Sequence, residues 1–182
     1  MDFLNGITLI SNYILIPGLT YGSQLALGAL GITIVYSVLR FSNFAHGEFM
    51  SFGAMTSILL SWLFLSLEIN LNPLPTAILV LPFAIIITIF YCILVDKIIF
   101  KFYRQQNSKS VINLIVSIGV MFFTGGLIRF IIGPGDKNFF DGERFILKAK
   151  TFKNYSGLSE GLALKTTQGI TIVFSIILVV LL

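Results

Sequence analysis

The run ITLISNYILIPGLTYGSQLALGALGITIVYSVL, Ile7 to Leu39, decides the fold class: 33 consecutive residues without a charge. As a helix it would be about 50 Å long, at 1.5 Å per residue. A bilayer core needs only about 20 residues. The run therefore reads as a short entry helix followed by a span near Ile14–Leu39, with Pro17 and Gly18 as the break. Working outward, Phe49–Leu67 is a second uncharged run, and Leu74–Val95 is a third, with Pro82 inside it. Asn70–Pro75 between them reads as a turn. Val111–Ile128 is a fourth run, extending past Arg129 to Ile132, where Gly133, Pro134 and Gly135 stop it. Gly169–Leu182 is apolar again but too short to cross, and reads as a fifth span cut at Leu182, so the chain is expected to be a fragment of a longer protein.

Composition agrees. Charged residues are 11% of the chain, against about 25% in a soluble domain. Hydrophobic types are 56%, and the mean hydropathy is +0.95. Too few polar groups exist to cover a water-facing surface, so a soluble enzyme or a disordered chain is excluded. The expected fold is all-α, a polytopic transmembrane bundle of about four full spans plus the incomplete fifth. One histidine and one cysteine, His46 and Cys92, exclude a multi-histidine or cysteine-based metal site within these residues. The net charge of +4 fits loop Lys and Arg beside anionic headgroups, not nucleic acid. No basic leader precedes the first run, which is expected to be an uncleaved span.

Two stretches between the apolar runs are polar. Asp96–Ser110 carries Lys97, Lys101, Arg104 and Lys109 and reads as an exposed basic loop. Residues 133–168 hold four acidic and six basic residues, with Phe139, Phe140, Phe145 and Phe152 among them, and read as a folded extramembrane loop. The positive-inside rule places Arg40 and the 96–110 segment in the cytoplasm. The N-terminus and the 133–168 loop are then external, and residues 1–182 form one transmembrane domain.

Gly18, Gly22, Ala26, Ala29 and Thr33 recur at three- and four-residue spacing, so they share one helix stripe. Gly53, Ser57 and Ser61 repeat the pattern in the second run. Such stripes allow close helix packing within lipid, or a thin wall beside a solute path. Gln24 sits mid-span, with a helix–helix hydrogen bond or a solute as its partner. Asn113, Ser117 and Thr124 share a face of the fourth run, Arg129 reads as snorkelling to the interface, and Cys92 as an inert small apolar residue.

The densest polar cluster joins the first two spans: Asn43, His46 and Glu48 lie within six positions. Ionisable groups near membrane depth are costly and face protein or a water-filled cavity. A polar turn at the interface is the other reading, with Glu48 near the positive end of the second helix.

The strings GLTYGSQLALGALG (18–31) and VLRFSNFAHGE (38–48), followed by Ile115-Val-Ser-Ile-Gly-Val and Phe130-Ile-Ile-Gly-Pro134, resemble the branched-chain amino acid ABC transporter permeases. The resemblance implies a membrane subunit of a bacterial importer in the inner membrane, so that the external N-terminus read from the charge distribution would be periplasmic. It implies a second related permease, two cytoplasmic ATPase subunits and a periplasmic amino-acid-binding protein as partners. ATP would be used in a partner subunit, and this chain would need no cofactor and do no covalent chemistry. No Gly-x-x-x-x-Gly-Lys-Ser/Thr string occurs. Gly22, Gln24, Asn43, His46 and Glu48 become the path candidates. Family members are longer and carry an ATPase-docking loop not recognised here. An ion-coupled transporter or channel using His46 and Glu48, a permease for urea or short amides, and a purely structural subunit are the alternatives.

A cysteine placed at Lys101 should react with a membrane-impermeant maleimide only after cells are opened. Labelling in intact cells would reverse the topology.

Overall fold

A computed structural model describes residues 2–69, 76–106, 108–137, 145–157 and 159–181. Four helical stretches are long and apolar enough to cross a membrane: Phe3–Leu39, His46–Ser66, Thr76–Gln105 and Ser110–Ile132. These are the four expected spans. The turn expected at Asn70–Pro75 lies outside the described residues.

The first stretch comprises α1 (Asp2–Ile10), one wide π turn (Ser11–Leu15) and α2 (Ile16–Leu39). The expected break at Pro17 is thus a widened turn, in which Ile16 N–H donates to Ser11 C=O. Pro17 has no N–H to give the ladder at this point, which favours a local change of pitch. The helix ends at Arg40, whose φ of 58° lies in the left-handed region without the ease of glycine.

Contacts divide the chain into two compact units, Gly31–Gly142 and Met1–Leu30 with Glu143–Leu182. In the Gly31–Gly142 unit, α3 (His46–Ser66) packs against both α4 (Thr76–Val95) and α6 (Ser110–Ile132). The buried stripe of α4 is Thr76, Val80 and Ala84, at four-residue spacing, and that of α6 is Ser117, Val120 and Thr124. Tyr91 joins all three helices. Its ring stacks on Phe52 of α3 with centroids 4.1 Å apart, and its hydroxyl pairs with Thr124 Oγ1 of α6 at 2.9 Å. α4 runs through Pro82 without a break.

The segment Asp96–Ser110 is not the loop expected. A π turn over Asp96–Phe100 and a short helix α5 (Lys101–Gln105) continue α4 without interruption. No proline or glycine stops the helix there. Phe100 is buried against Phe41, with ring centroids 6.1 Å apart. Asp96 and Arg104 form a two-pronged ion pair at 2.6 and 2.8 Å across two turns. Both side chains are over two-fifths exposed, so the pair is worth no more than about 1 kcal/mol. The burial of Phe100 is the stronger reason for the helix.

In the other unit, β1 (Phe145–Leu147) and β2 (Leu164–Lys165) pair antiparallel, with α7 (Ala149–Ser156) between them in sequence and α8 (Thr166–Leu181) after them. The described part of the polar 133–168 stretch thus holds two short strands and a helix. Asn12, held in the first π turn, fastens it: its amide donates to Gly161 C=O at 2.7 Å and accepts from Ala163 N–H at 3.0 Å. A side chain at Gly161 would strike the Ala149 carbonyl. α8 has 16 residues, about 24 Å of helix, short of the 30 Å hydrocarbon thickness.

Tyr91→Phe keeps the stack but removes the partner of the buried Thr124 hydroxyl. It should cost about 1–2 kcal/mol, read as a lowered thermal midpoint of the full-length protein in detergent.

Candidate functional site

The polar cluster begins where α2 ends. Residues Phe41–Ala45 form a tight connection, with Phe41 and Ala45 buried. Two bonds set its shape: Ala45 N–H donates to Asn43 Oδ1 at 3.1 Å, and His46 N–H to Asn43 C=O at 3.3 Å. Asn43 thus shapes the turn with its own side chain, as Asx residues do. Phe44 N–H donates to Ser117 Oγ at 3.1 Å, while that hydroxyl donates to Leu114 C=O at 2.7 Å. Ser117 is fully buried and pins the connection to α6.

His46 and Glu48 are not in the connection itself. They occupy the first turn of α3, where a carboxylate meets the positive end of the helix. Both are half-buried, and they diverge. The His46 imidazole lies over Gly31 of α2, where an added Cβ would sit 2.7 Å from Nε2 and 3.0 Å from Cε1. The Glu48 carboxylate lies over Gly125 of α6, where an added Cβ would sit 3.3–3.4 Å from its atoms. His46 therefore sits on the α2 side of the turn and Glu48 on the α6 side.

Beside His46 opens a groove of about 520 Å³ between α3 and α4. Its walls are apolar, with Leu81, Ile85 and Ile89 at four-residue spacing on α4. Asn43, His46 and Asp96 line it too, and Ser57 and Thr88 add two hydroxyls. Both hydroxyls already donate to their own helices, to Gly53 C=O at 3.0 Å and Ala84 C=O at 2.7 Å. Each keeps lone pairs to accept a further bond. Among the described residues no group of His, Cys, Asp and Glu could hold a metal ion.

The structure brings together some of the residues expected from sequence and not others. Asn43 and His46 line the groove; Glu48 is absent from its lining. Gly22 and Gln24 are exposed on α2, which buries none of its residues. Gly18 and Gly22 of the first stripe have open space beyond them, and Ala26 and Ala29 are exposed. Gly53 lies against Thr88 of α4, at 3.4 Å from an added Cβ, and Ser57 lines the groove. Sequence reasoning missed Asp96, taken for a loop residue, and the seats at Gly31 and Gly125. The spacing of Leu81, Ile85 and Ile89 was a visible signal for the groove wall. Nothing in the sequence marks Gly31 or Gly125 among the 16 glycines.

A family model described as "Branched-chain amino acid transport system / permease component" matches residues 14–182. The high-affinity branched-chain amino acid transport system permease proteins LivH of Salmonella typhimurium and of Escherichia coli K12 are each 30% identical to the chain. The similarity runs over 138 residues, 74% of this chain and 44% of theirs. BraD of Pseudomonas aeruginosa, with the same description, is 32% identical over 111 residues, 60% of this chain and 34% of its own. The chain thus spans less than half the length of the curated relatives it matches. No solved structure is significantly similar to it.

Ser117→Ala would leave Phe44 N–H without its acceptor and should cost about 1–3 kcal/mol. Faster hydrogen exchange across residues 41–46, in the full-length protein, is the expected readout.

Proposed function

Since the chain belongs to the branched-chain amino acid transport system permease family, we propose that it forms part of a translocation path for branched-chain or other hydrophobic amino acids. The protein would be a subunit of a bacterial ABC importer in the inner membrane. The observation that carries this reading is the groove between α3 and α4. A branched-chain amino acid needs an apolar wall for its side chain and polar groups for its zwitterionic end. Leu81, Ile85 and Ile89 offer the first, and Asn43, His46 and Asp96 offer the second.

Every step asked of these residues is binding and release. Asp96 attracts the ammonium group, although Arg104 already shares its charge. His46 and Asn43 give hydrogen bonds that replace part of the solute's hydration shell. The apolar wall has no bond to offer a more polar solute, which disfavours one that must shed water there. The work of moving the solute comes from ATP hydrolysis in cytoplasmic partner subunits. A second related permease completes the path, and a periplasmic binding protein delivers the solute.

Arg40 and Lys97–Lys109 face the cytoplasm in this reading, with the N-terminus and the 133–168 segment on the periplasmic side. The family match supports ATP-driven import over an ion-coupled path through His46 and Glu48. Ser57 and Thr88 add acceptors partway along, which suits a solute moving past in stages.

In the complete transporter, His46→Ala should lower uptake about tenfold, equivalent to about 1.4 kcal/mol, with complex assembly unchanged. Uptake equal to wild type in normally assembled complex would remove the groove from the path.

A further inference from the structure

We infer that Gly31 and Gly125 are positioning residues that sort the two ionisable side chains at the start of α3, holding His46 toward the solute and Glu48 away from it. The inference rests on the groove being part of the path, and extends it to residues that touch no solute.

At each of these two glycines an added Cβ would press on an ionisable side chain of α3. An added Cβ at Gly31 would overlap the imidazole, 2.7 Å from Nε2 and 3.0 Å from Cε1. Contacts that short are not tolerated, so either the ring or the helix must move. The clash falls on the far end of a side chain that has two rotatable bonds. The ring is therefore displaced and the helices stay where they are. Since His46 lines the groove, displacing its ring changes the polar lining directly.

At Gly125 the added atom would stand 3.3 Å from Glu48 Cδ and Oε2 and 3.4 Å from Oε1. There the carboxylate must give by a few tenths of an ångström. The neighbouring Gly126 has open space beyond it, and so does Gly47, between the two ionisable residues. The sequence around Glu48 would suit a proton relay with His46. The structure instead turns the two against different neighbours, His46 against α2 and Glu48 against α6, and of the pair His46 alone lines the groove. Glu48 then serves the helix: its charge sits at the positive end of α3, and its contact with α6 helps to fix how that end is turned.

The test uses the assembled transporter containing the full-length permease. Diethyl pyrocarbonate modifies exposed imidazole, and His46 is the single histidine of these 182 residues. Its modification is followed by mass spectrometry of the peptide that carries it. Gly31→Ala should change the His46 modification rate at least threefold and lower uptake per assembled complex. In a His46→Ala background, Gly31→Ala should have no further effect on uptake. Gly125→Ala should leave the His46 rate unchanged, and its uptake loss should be relieved by Glu48→Asp, the shorter acid. An unchanged modification rate in Gly31→Ala overturns the inference. So does a Gly31→Ala loss that persists undiminished without His46. Where Gly31→Ala prevents assembly, recovery of assembly in the His46→Ala background supports the inference, and failure in both backgrounds sinks it. A changed modification rate with wild-type uptake would show that the ring is seated as described but that the groove carries no solute.

Discussion

Hydrocarbon offers no water to a polar group, and this chain answers that constraint mostly by turning hydroxyls back onto their own helices. Thr20 donates to Ile16 C=O, Thr56 and Ser57 to Gly53 C=O, Thr88 to Ala84 C=O and Thr171 to Thr167 C=O, at 2.7 to 3.0 Å. Each hydroxyl is satisfied locally, so no partner helix is required for it. Side-chain bonds between separate elements then carry specific information. Tyr91 to Thr124 links α4 to α6, Ser117 holds the connection before α3, and Asn12 fastens the segment around Gly161. Ser61 is the contrast: it is buried on α3, and its hydroxyl has no partner among the described residues.

Once hydroxyls are settled within helices, close packing depends on where side chains are missing. Gly53 lets α3 approach Thr88, Gly31 receives an imidazole, and Gly125 receives a carboxylate. Three glycines of similar appearance in sequence thus perform three different tasks. The stripe of small residues on α2 has no such neighbour at Gly18 or Gly22. Sequence spacing alone could not separate these cases, because a glycine's use is defined by what fills the space it leaves.

The four long helices were legible because membrane helices need long uncharged runs, and such runs are visible without any tertiary information. The polar cluster at Asn43, His46 and Glu48 was legible for the same reason: few ionisable residues stand so near an apolar run. Its division was not legible. Periodicity places His46 and Glu48 two residues apart, about 200° around a helix, but not which neighbour each one meets. The helix over Asp96–Gln105 was misread because four basic residues between Lys97 and Lys109 look like a solvated loop. Phe100 was the contrary signal, an aromatic anchor within that charge. The two π turns left no trace in composition. Pro17 marked the place of one, and nothing marked the other.

The widened turn over Asp96–Phe100 also gives the helix a reserve of chain length at that place. It holds one residue more than regular pitch would use, with Lys101 N–H reaching back five positions to Asp96 C=O. At ordinary pitch the eight residues from Asp96 to Arg104 would turn through about 800°, leaving the two about 80° apart. The wide turn takes up that excess, and the two side chains meet. Losing Ile98 or Ile99 would restore ordinary pitch and leave the pair seven residues apart, about 700°, still close to two full turns. The basic face of α5 would then keep its heading, so a single-residue gap in that turn is absorbed where the same gap in a regular helix would not be.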